Sequence, residues 1–348
     1  MGKTITKKNI FDEESVRKKY FEISEKYELL AKNLKGALDL FLKESNINYL
    51  TVYYRIKAVN SFIKKIYRKS YYDNPFEQCE DICGLRIIYY YQSDIEKISK
   101  IIKREFEVLE FQDKLDYIGA DQFGYRSFHF IVKIKKSWLG APNYRGLENL
   151  KAEIQVCTVL MHAWDEIEHE LEYRQDAHVP KQFKRKFSRI SAKLEEADEQ
   201  FEELRNQREK YKEDLIQNAK MEKGIFNKSL VLNLDNLQAF LDFHFPDRIR
   251  DMRDTRSLLD EMIKCKITMK DIIEYYEIIK DILPKIENEE KQTFPKFRNN
   301  DKLLWAQGGA MRTILDLCND RYFQGRCQPD LPIPDNILKL ITKWRKKL

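Results

Sequence analysis

The chain has 348 residues and a formal net charge of +6, from 63 basic and 57 acidic residues. This excess is too small to identify a polyanionic partner. Only 11 glycines and 9 prolines occur, which excludes collagen-like and low-complexity proteins and favours long helices over an all-β fold. The sequence has no run of about 18 apolar residues and no apolar signal segment at its start, so we expect a cytoplasmic protein without a membrane span.

Helices and strands alternate in the predicted first half of the chain. Asp12 is expected to cap a helix that ends near Glu44, because apolar residues recur every three or four positions between them. Ser93 begins the capping-box sequence Ser-Asp-Ile-Glu and is expected to cap another helix, which ends near Arg104. Periodicity and β-branched or aromatic runs predict further helices at 61–69 and 159–173, and strands at 48–57, 84–91, 107–111, 127–135 and 151–156.

The second half of the chain is predicted to be helical. From Phe183 to Leu204, apolar residues alternate at spacings of four and three, with charged residues between them. This pattern indicates a long amphipathic helix, which we expect to pair with the N-terminal helix as in a coiled-coil hairpin. A helical segment is then expected from about Ser229 to Leu348, with breaks near Pro246, Pro284, Pro295 and residues 329–334.

These elements predict an α+β fold in which long helices flank a mixed β-sheet. Strands that are first interleaved with helices and then follow one another directly are the reason to expect a mixed sheet with helical covering. We expect four parts, namely an N-terminal helix (1–50), a sheet-containing domain (51–175), a long amphipathic helix (176–225) and a helical C-terminal segment (226–348).

Three groups of polar residues near the predicted strands suit phosphate chemistry. They are Arg55, Lys57, Ser61 and Lys65; then Asp81 and Arg86; then the loop from Gly124 to His129 beside Glu153 and Gln155. Mg²⁺ takes one or two carboxylates plus phosphate oxygens, and basic side chains neutralise the remaining charge. Asp81 and Glu153 can supply these carboxylates if their strands are neighbours. Arg86 lies in an apolar strand and requires an anionic partner, because an unpaired buried charge is costly.

Each of these signals has an ordinary alternative. An acid and a base near a strand more often form a solvated pair at the rim, and Tyr125 more often serves packing than stacking on a base. His162 and His169 share one face of a predicted helix, but without a third ligand they suit a helix surface or a core better than a metal site. Neither a P-loop nor a dinucleotide-binding glycine motif occurs, which excludes those two modes of nucleotide binding.

Four motifs between residues 51 and 174 carry a family resemblance. In chain order they are RIKAVNSFIKK, EDICGLRII, DYIGADQFGYRSFH and EIQVCTVLMHAWDEIEHELEYR. Their order and spacing resemble the synthetase domain of RelA/SpoT-type (p)ppGpp synthetases, especially the small alarmone synthetases. The resemblance implies a nucleotidyltransferase-like mixed sheet. It also implies transfer of the β,γ-pyrophosphate of ATP to the 3′-hydroxyl of GDP or GTP, with release of AMP.

The resemblance implies a donor site for ATP built from five residues. Arg55 and Arg86 would sandwich the adenine, since a guanidinium plane stacks on an aromatic base. The phosphates of ATP would be held by Lys57, Ser61 and Lys65.

The resemblance also implies a metal site and an acceptor site. Asp81 and Glu153 would bind Mg²⁺, the implied cofactor, and Glu153 would also activate the 3′-hydroxyl. Tyr125 would stack on the acceptor base and His129 would contact a phosphate. The full acceptor site is then expected to comprise Tyr125, Arg126, His129 and Gln155.

The sequence departs from the family pattern in ways that concern the acceptor. Leu115 and Asp121 replace two lysines of the family's loop motif, and Cys157 replaces the arginine of its Glu-Ile-Gln-x-Arg-Thr motif. Asp121 disfavours a guanosine 5′-diphosphate at this position unless a lysine such as Lys114 substitutes. A tRNA 3′-terminal adenosine has no free 5′-diphosphate and is disfavoured less. We therefore place GDP or GTP first and toxin-type pyrophosphorylation of the tRNA 3′ end second.

A third hypothesis is an inactive regulator that binds nucleotide or RNA. Both expected metal carboxylates and both expected adenine-binding arginines are retained, which weighs against it. No His-Asp dipeptide occurs, so we expect synthesis without the hydrolase activity of the long bifunctional members. The C-terminal segment carries no motif; its open roles are oligomer formation, RNA binding and restraint of the active site, and a structural role is the default. For the protein as a whole, the open partners are tRNA, a second copy in a homo-oligomer and an antitoxin-like protein.

Overall fold

The computed structural model describes residues 12–69, 72–113, 127–171, 181–222, 225–293, 305–326 and 335–348. The chain folds into two compact units, Met1–Leu204 and Arg205–Leu348. The α+β class predicted from the sequence is confirmed, while the finer division into four parts stays a prediction. Within the described ranges, no helix has the length and apolar character needed to cross a membrane.

The first unit contains a five-stranded mixed sheet. Its strands are β1 (Tyr49–Ile56), β2 (Cys83–Tyr89), β3 (Phe106–Asp113), β4 (Phe128–Ile134) and β5 (Ala152–Thr158). They lie in the order β1-β2-β5-β4-β3, and every neighbouring pair is antiparallel except β2–β5, which is parallel. The predicted strands are confirmed to within two residues at each end. The β2–β5 pair makes Asp81 and Glu153 neighbours, because Asp81 lies just before β2 and Glu153 lies in β5.

The helices of this unit are α1 (Glu13–Glu44), α2 (Val59–Arg68), α3 (Pro75–Gln78), α4 (Ile95–Glu105) and α5 (Val159–Glu170), followed by the first part of α6 (Lys181–Met221). The Asp12 cap is confirmed, since its carboxylate accepts a hydrogen bond from the backbone N–H of Ser15. The apolar stripe of α1 packs on one face of β1 and β2. Two tyrosine hydroxyls of β1 attach the strand to this helix: Tyr49 donates to Asp39 and Tyr54 donates to Glu28, each at 2.9 Å.

Two expectations about helix ends and partners are wrong. Ser93 does not cap α4, because a short 3₁₀ turn from Gln92 to Asp94 precedes the helix and Asp94 is its N-cap. The backbone N–H of Ser93 instead donates to Glu202 of α6. Helix α6 is also not a hairpin partner of α1. It packs instead on α5 and the sheet, where Leu194 contacts the small apolar cluster that includes Met161.

The second unit is helical and has its own core. Its helices are the end of α6, then α7 (Leu234–His244), α8 (Met252–Lys264), α9 (Met269–Ile279), α10 (Leu283–Thr293), α11 (Gln307–Cys318), α12 (Asp320–Arg326) and α13 (Asp335–Arg345). The predicted breaks near Pro246 and Pro284 are confirmed, while Pro295 and residues 329–334 lie outside the described residues. Helix α11 packs against most of the others. Its Arg312 forms ion pairs with Asp254 and Glu261 of α8, which fix the two helices to each other.

Candidate active site

The polar residues singled out in the sequence collect on the face of the sheet opposite α1. Gly84 and Arg86 are two positions apart on β2 and so share this face, while Leu85 and Ile87 are buried on the other. The strand register aligns two rows across β1, β2 and β5. The first row is Arg55, Gly84 and Glu153, and the second is Tyr53, Arg86 and Gln155.

A cavity of about 410 Å³ lies over these two rows, and Arg55 and Arg86 both line it. Gly84 lines it as well. A β-carbon at this position would meet one atom, the backbone oxygen of Arg55, at 3.6 Å, so peptide groups form the surface there. The base of the cavity at Gly84 is therefore peptide backbone, and two arginine side chains border the cavity. This is the arrangement that the sequence analysis expected around adenine, and the nucleotide contacts themselves stay predictions.

A second cavity of about 600 Å³ shares Asp81 and Glu153 with the first. Its other lining residues include Lys65, His129 and Lys151. The two carboxylates thus border both cavities. The sequence prediction that Asp81 and Glu153 would come together through neighbouring strands agrees with this geometry.

Asp81 is held by two lysines of the first motif. Its Oδ2 atom lies 3.0 Å from the Nζ atom of Lys57 and 2.9 Å from that of Lys65, and Cys79 donates to its other oxygen. Burial alone would raise the pKa of Asp81, but the two ammonium charges outweigh it and lower the pKa to about 2. Burial likewise disfavours the charge on Lys65, yet the Asp81 carboxylate raises its pKa overall. Asp81 and Lys65 are therefore both charged at neutral pH.

The Glu153 carboxylate lies in a chain of hydrogen bonds that crosses β4, β5 and β2. Its Oε1 atom lies 2.8 Å from Nδ1 of His129, and its Oε2 atom accepts from Gln155 at 2.9 Å. Burial would raise the pKa of Glu153, but these hydrogen bonds and the His129 imidazole lower it below its usual value. The other ring nitrogen of His129 lies 2.8 Å from the hydroxyl of Ser127. Glu153 is thus a fixed, ionised carboxylate.

Arg86 has the anionic partners that its place in an apolar strand required. Its guanidinium lies 2.8 Å from Asp165 and 3.2 Å from Glu166, both on α5. It also donates two hydrogen bonds to Gln155 and lies 3.1 Å from Nδ1 of His162. The network therefore runs from α5 through Arg86 and Gln155 to Glu153.

The α5 residues of this network were not selected from the sequence. His162 was assigned to a helix surface or a core, and Asp165 and Glu166 were not considered. The available signal was their spacing: His162, Asp165 and Glu166 lie three or four positions apart and so share one helix face. The sequence alone does not show that this face lies over β2. That placement depends on the packing of Met161 of α5 against Ile88 of β2.

Other predicted positions lie beside the site or outside the described residues. Ser61 is exposed near the start of α2, one turn before Lys65. Cys157, which replaces the family arginine, is buried with Ile88 and Met161 and fills an apolar position beneath α5. The expectations for Lys114, Leu115, Asp121, Gly124, Tyr125 and Arg126 concern residues that the structure does not describe.

Comparison with known proteins identifies the family. Residues 54–178 match the family described as "Region found in RelA / SpoT proteins". The GTP pyrophosphokinase YjbM of Bacillus subtilis (strain 168) is 32% identical over 186 residues, which cover 52% of this chain and 83% of that protein. The chain belongs to the RelA/SpoT family. A second member, the GTP pyrophosphokinase YwaC of the same organism, is 34% identical over 132 residues, covering 37% of this chain and 60% of that protein.

Solved structures similar to this member of the RelA/SpoT family each cover about half of it. Small alarmone synthetase 1 from Bacillus subtilis is 29% identical, with a TM-score of 0.46, over 54% of this chain and 97% of that one. A GTP pyrophosphokinase family protein from Streptococcus pneumoniae is 24% identical, with a TM-score of 0.47, over 54% and 94% of the two chains.

Proposed function

We propose that this protein is a GTP pyrophosphokinase-type enzyme, which transfers the β,γ-pyrophosphate of ATP to the 3′-hydroxyl of GDP or GTP and so makes (p)ppGpp. The observation that carries the proposal is the pair of cavities that meet at Asp81 and Glu153. Transfer between two nucleotides needs two adjacent binding spaces with the reacting groups at their boundary. Family membership and the GTP pyrophosphokinase relatives support the same reaction.

We assign ATP to the cavity that Arg55 and Arg86 line. Arg86 is oriented by its ion pair with Asp165, and Arg55 is exposed on the neighbouring strand. Two guanidinium planes can take an adenine between them. The triphosphate would then reach Lys57 and Lys65 at Asp81, with Ser61 one turn away on α2. Its negative charge would compete with Asp81 for the two ammonium groups.

We assign the acceptor to the second cavity, on the other side of the two carboxylates. His129 and Lys151 line it and supply donors for phosphate oxygens. Gln155 is already hydrogen-bonded to both Arg86 and Glu153, so its part in the site for the acceptor nucleotide is to keep Glu153 in place. Tyr125 for base stacking and Arg126 for a further phosphate contact remain assignments from the family motif.

The carboxylates fit an Mg²⁺ ion shared with substrate phosphates. The charge on Asp81 is near enough to oppose the lowering of the Glu153 pKa that His129 and Gln155 cause, and a divalent cation would relieve that repulsion. No cluster of three or more metal-ligating side chains occurs among the described residues. The protein would thus supply two carboxylates and leave the other positions to phosphate and water, as Mg²⁺ prefers. When bound, the ion would neutralise charge that develops on the phosphate oxygens.

In the proposed reaction the 3′-oxygen of the acceptor attacks the β-phosphorus of ATP. The bond from this phosphorus to the α–β bridging oxygen breaks, and AMP leaves with that oxygen. The proton of the 3′-hydroxyl passes to Glu153, which is ionised and keeps unused lone pairs on both oxygens. Lys57 and Lys65 neutralise the transferred group. Asp165 and Gln155 keep Arg86 and Glu153 in position during transfer.

The acceptor is identified by incubating the purified protein with γ-labelled ATP and Mg²⁺, separately with GDP, GTP, ATP and tRNA. We expect labelled ppGpp or pppGpp, with one AMP released for each product. Label on tRNA with none on GDP or GTP would establish the toxin-type reaction instead. Absence of label from every acceptor, with AMP unchanged, would contradict the enzymatic proposal.

A further inference from the structure

Lys151 brings a positive charge to the second cavity, beside the carboxylate that we assign as the base. It directly precedes β5 and lies two positions before Glu153, so the two side chains share one face of the sheet and line the same cavity. Two strand residues span about 7 Å. In a nucleotide, one ribose separates the 3′-hydroxyl from the 5′-phosphate by a comparable distance. An acceptor with its 3′-hydroxyl at Glu153 can therefore place its 5′-phosphate at Lys151.

Glu80 holds Lys151 in this position. The Nζ atom of Lys151 donates to Oε1 of Glu80 at 2.8 Å, and both side chains line the cavity. The pair is partly open to solvent, with 25% of the lysine side chain and 33% of the glutamate side chain exposed. A phosphate group offers more charge and more acceptor oxygens than a carboxylate, so a bound phosphate can replace Glu80 as the partner. Glu80 then competes with the phosphate for one ammonium group.

Two other lysines among the described residues line this cavity, and both belong to α2 or its end. Lys65 is bound to Asp81 at 2.9 Å, where we assign the phosphates of ATP. Lys69 follows the last residue of α2, one turn after Lys65. Lys151 instead adjoins the strand that carries Glu153. Its distance from the proposed base is therefore set by the strand itself.

The sequence supplies a second reason to look for a phosphate-binding lysine outside the loop before β4. Leu115 and Asp121 stand where the family's loop motif has lysines, so two positive charges are missing from that segment. Lys151 lies outside the segment and supplies a positive charge from the sheet.

We propose that Lys151 binds the 5′-phosphates of the acceptor and that Glu80 limits how tightly it binds them. This inference rests on the proposed pyrophosphate transfer, and it narrows the acceptor to a free nucleoside diphosphate or triphosphate. The 3′-terminal nucleotide of tRNA has only a single diester phosphate on its 5′ side. The contact with Lys151 therefore favours the tRNA end less.

The test measures initial rates with GDP, GTP, guanosine and tRNA as acceptors, at saturating ATP and Mg²⁺. Lys151→Met should raise the KM for GDP and for GTP about tenfold, while kcat/KM for guanosine and the KM for ATP stay within about twofold of the wild type. Glu80→Gln should lower the KM for GDP by about threefold, because it removes the competitor of the phosphate. An ion pair that only stabilised the fold would change the KM in the same direction from either end.

The matched control is a second lysine–glutamate pair, Lys228 and Glu274 of the second unit, whose charged atoms lie 2.9 Å apart. Lys228→Met and Glu274→Gln should leave the KM of every substrate unaltered, and urea unfolding checks that all four variants fold. Transfer to GDP with equal KM in the wild type and Lys151→Met would overturn the inference and leave the proposed function standing. Label on tRNA alone, or on no acceptor, would remove both.

Discussion

Asp165 and Arg86 form an ion pair of 2.8 Å between α5 and β2, with both side chains largely shielded from solvent. Glu166, the next residue, also reaches the guanidinium, but its side chain is 57% exposed. A shielded carboxylate interacts with a cation more strongly than an exposed one, because water screens the latter. Asp165 is therefore the group that sets the orientation of Arg86, and Glu166 contributes less.

Asp165→Asn should weaken ATP binding more than it slows transfer. Arg86 keeps its hydrogen bonds to Gln155 but loses its shielded counter-charge, so its plane is less well fixed. We expect the KM for ATP to rise about tenfold, equivalent to about 1.4 kcal/mol, with a kcat within about threefold of the wild type. Glu166→Gln is the matched control and should change KM by no more than about threefold. Equal effects of the two substitutions in initial-rate measurements would contradict the positioning role.

Asp81→Asn and Glu153→Gln should each abolish pyrophosphate transfer while leaving the fold intact. An amide cannot supply the negative charge that would hold the proposed Mg²⁺, and we expect a loss of roughly 10³-fold or more in kcat. Glu22→Gln is the control, since Glu22 is exposed on α1, lines neither cavity and loses the same charge. The measurement is AMP release and labelled product over a range of Mg²⁺ concentrations. Near-normal turnover in either carboxylate variant would remove it from the proposed site.

Ending the chain after Tyr211 should preserve part of the transferase activity. The described residues of the candidate site, from Tyr53 to Glu166, all belong to the first compact unit. The cut removes Asn236, to which the Tyr211 hydroxyl donates, along with the core of the second unit. Specific activity should be compared with that of the full chain after circular dichroism confirms folding. A folded but wholly inactive fragment would show that the second unit completes the site.

Asp198 should make stability depend on pH between about 4 and 6. Burial raises its pKa to about 6, above that of an unfolded aspartate near 3.9, although the hydrogen bond from Thr158 opposes the shift. The folded state therefore holds the proton of Asp198 more tightly than the unfolded state does. The stabilisation that comes from this bound proton is complete below about pH 4 and is lost as the pH rises through about 6. Ionised Asp198 then costs at most about 3 kcal/mol, since two pKa units correspond to about 2.7 kcal/mol.

The corresponding substitution is Asp198→Asn, which keeps an oxygen for Thr158 and removes the charge. Urea unfolding should give a free energy higher than that of the wild type at pH 7.5, by up to about 3 kcal/mol, and nearly the same at pH 4. A stabilisation that is equal at both pH values would show that Asp198 is ionised throughout. Loss of stability at pH 7.5 would show that its charge is satisfied in the fold.

Much of the fold could be predicted from the sequence because the sequence signals for these helices and strands are local. Runs such as GLRIIYYY predict β2, and the apolar spacing after Asp12 predicts α1. Asp81 and Arg86 could be selected as site residues because their motif adjoins a predicted strand. The partners on α5 could not, since the contact between Asp165 and Arg86 depends on which helix covers the sheet. Ser93 was misjudged for a similar reason: its N–H is taken by Glu202, more than a hundred residues later.

Gly84 gives the cavity between Arg55 and Arg86, to which we assign ATP, a base made of peptide backbone between two strands that are hydrogen-bonded to β2. Such a base has no rotamers, so its shape varies little from one molecule to the next. Arg55, by contrast, is an exposed side chain that can change rotamer, whereas Arg86 is held in place by Asp165 and Gln155. A nucleotide in the proposed ATP site would therefore meet a rigid base, one arginine that α5 holds in place and one arginine that can adjust. We expect discrimination among purine donors to depend on these two arginines and on the α5 residues that hold Arg86.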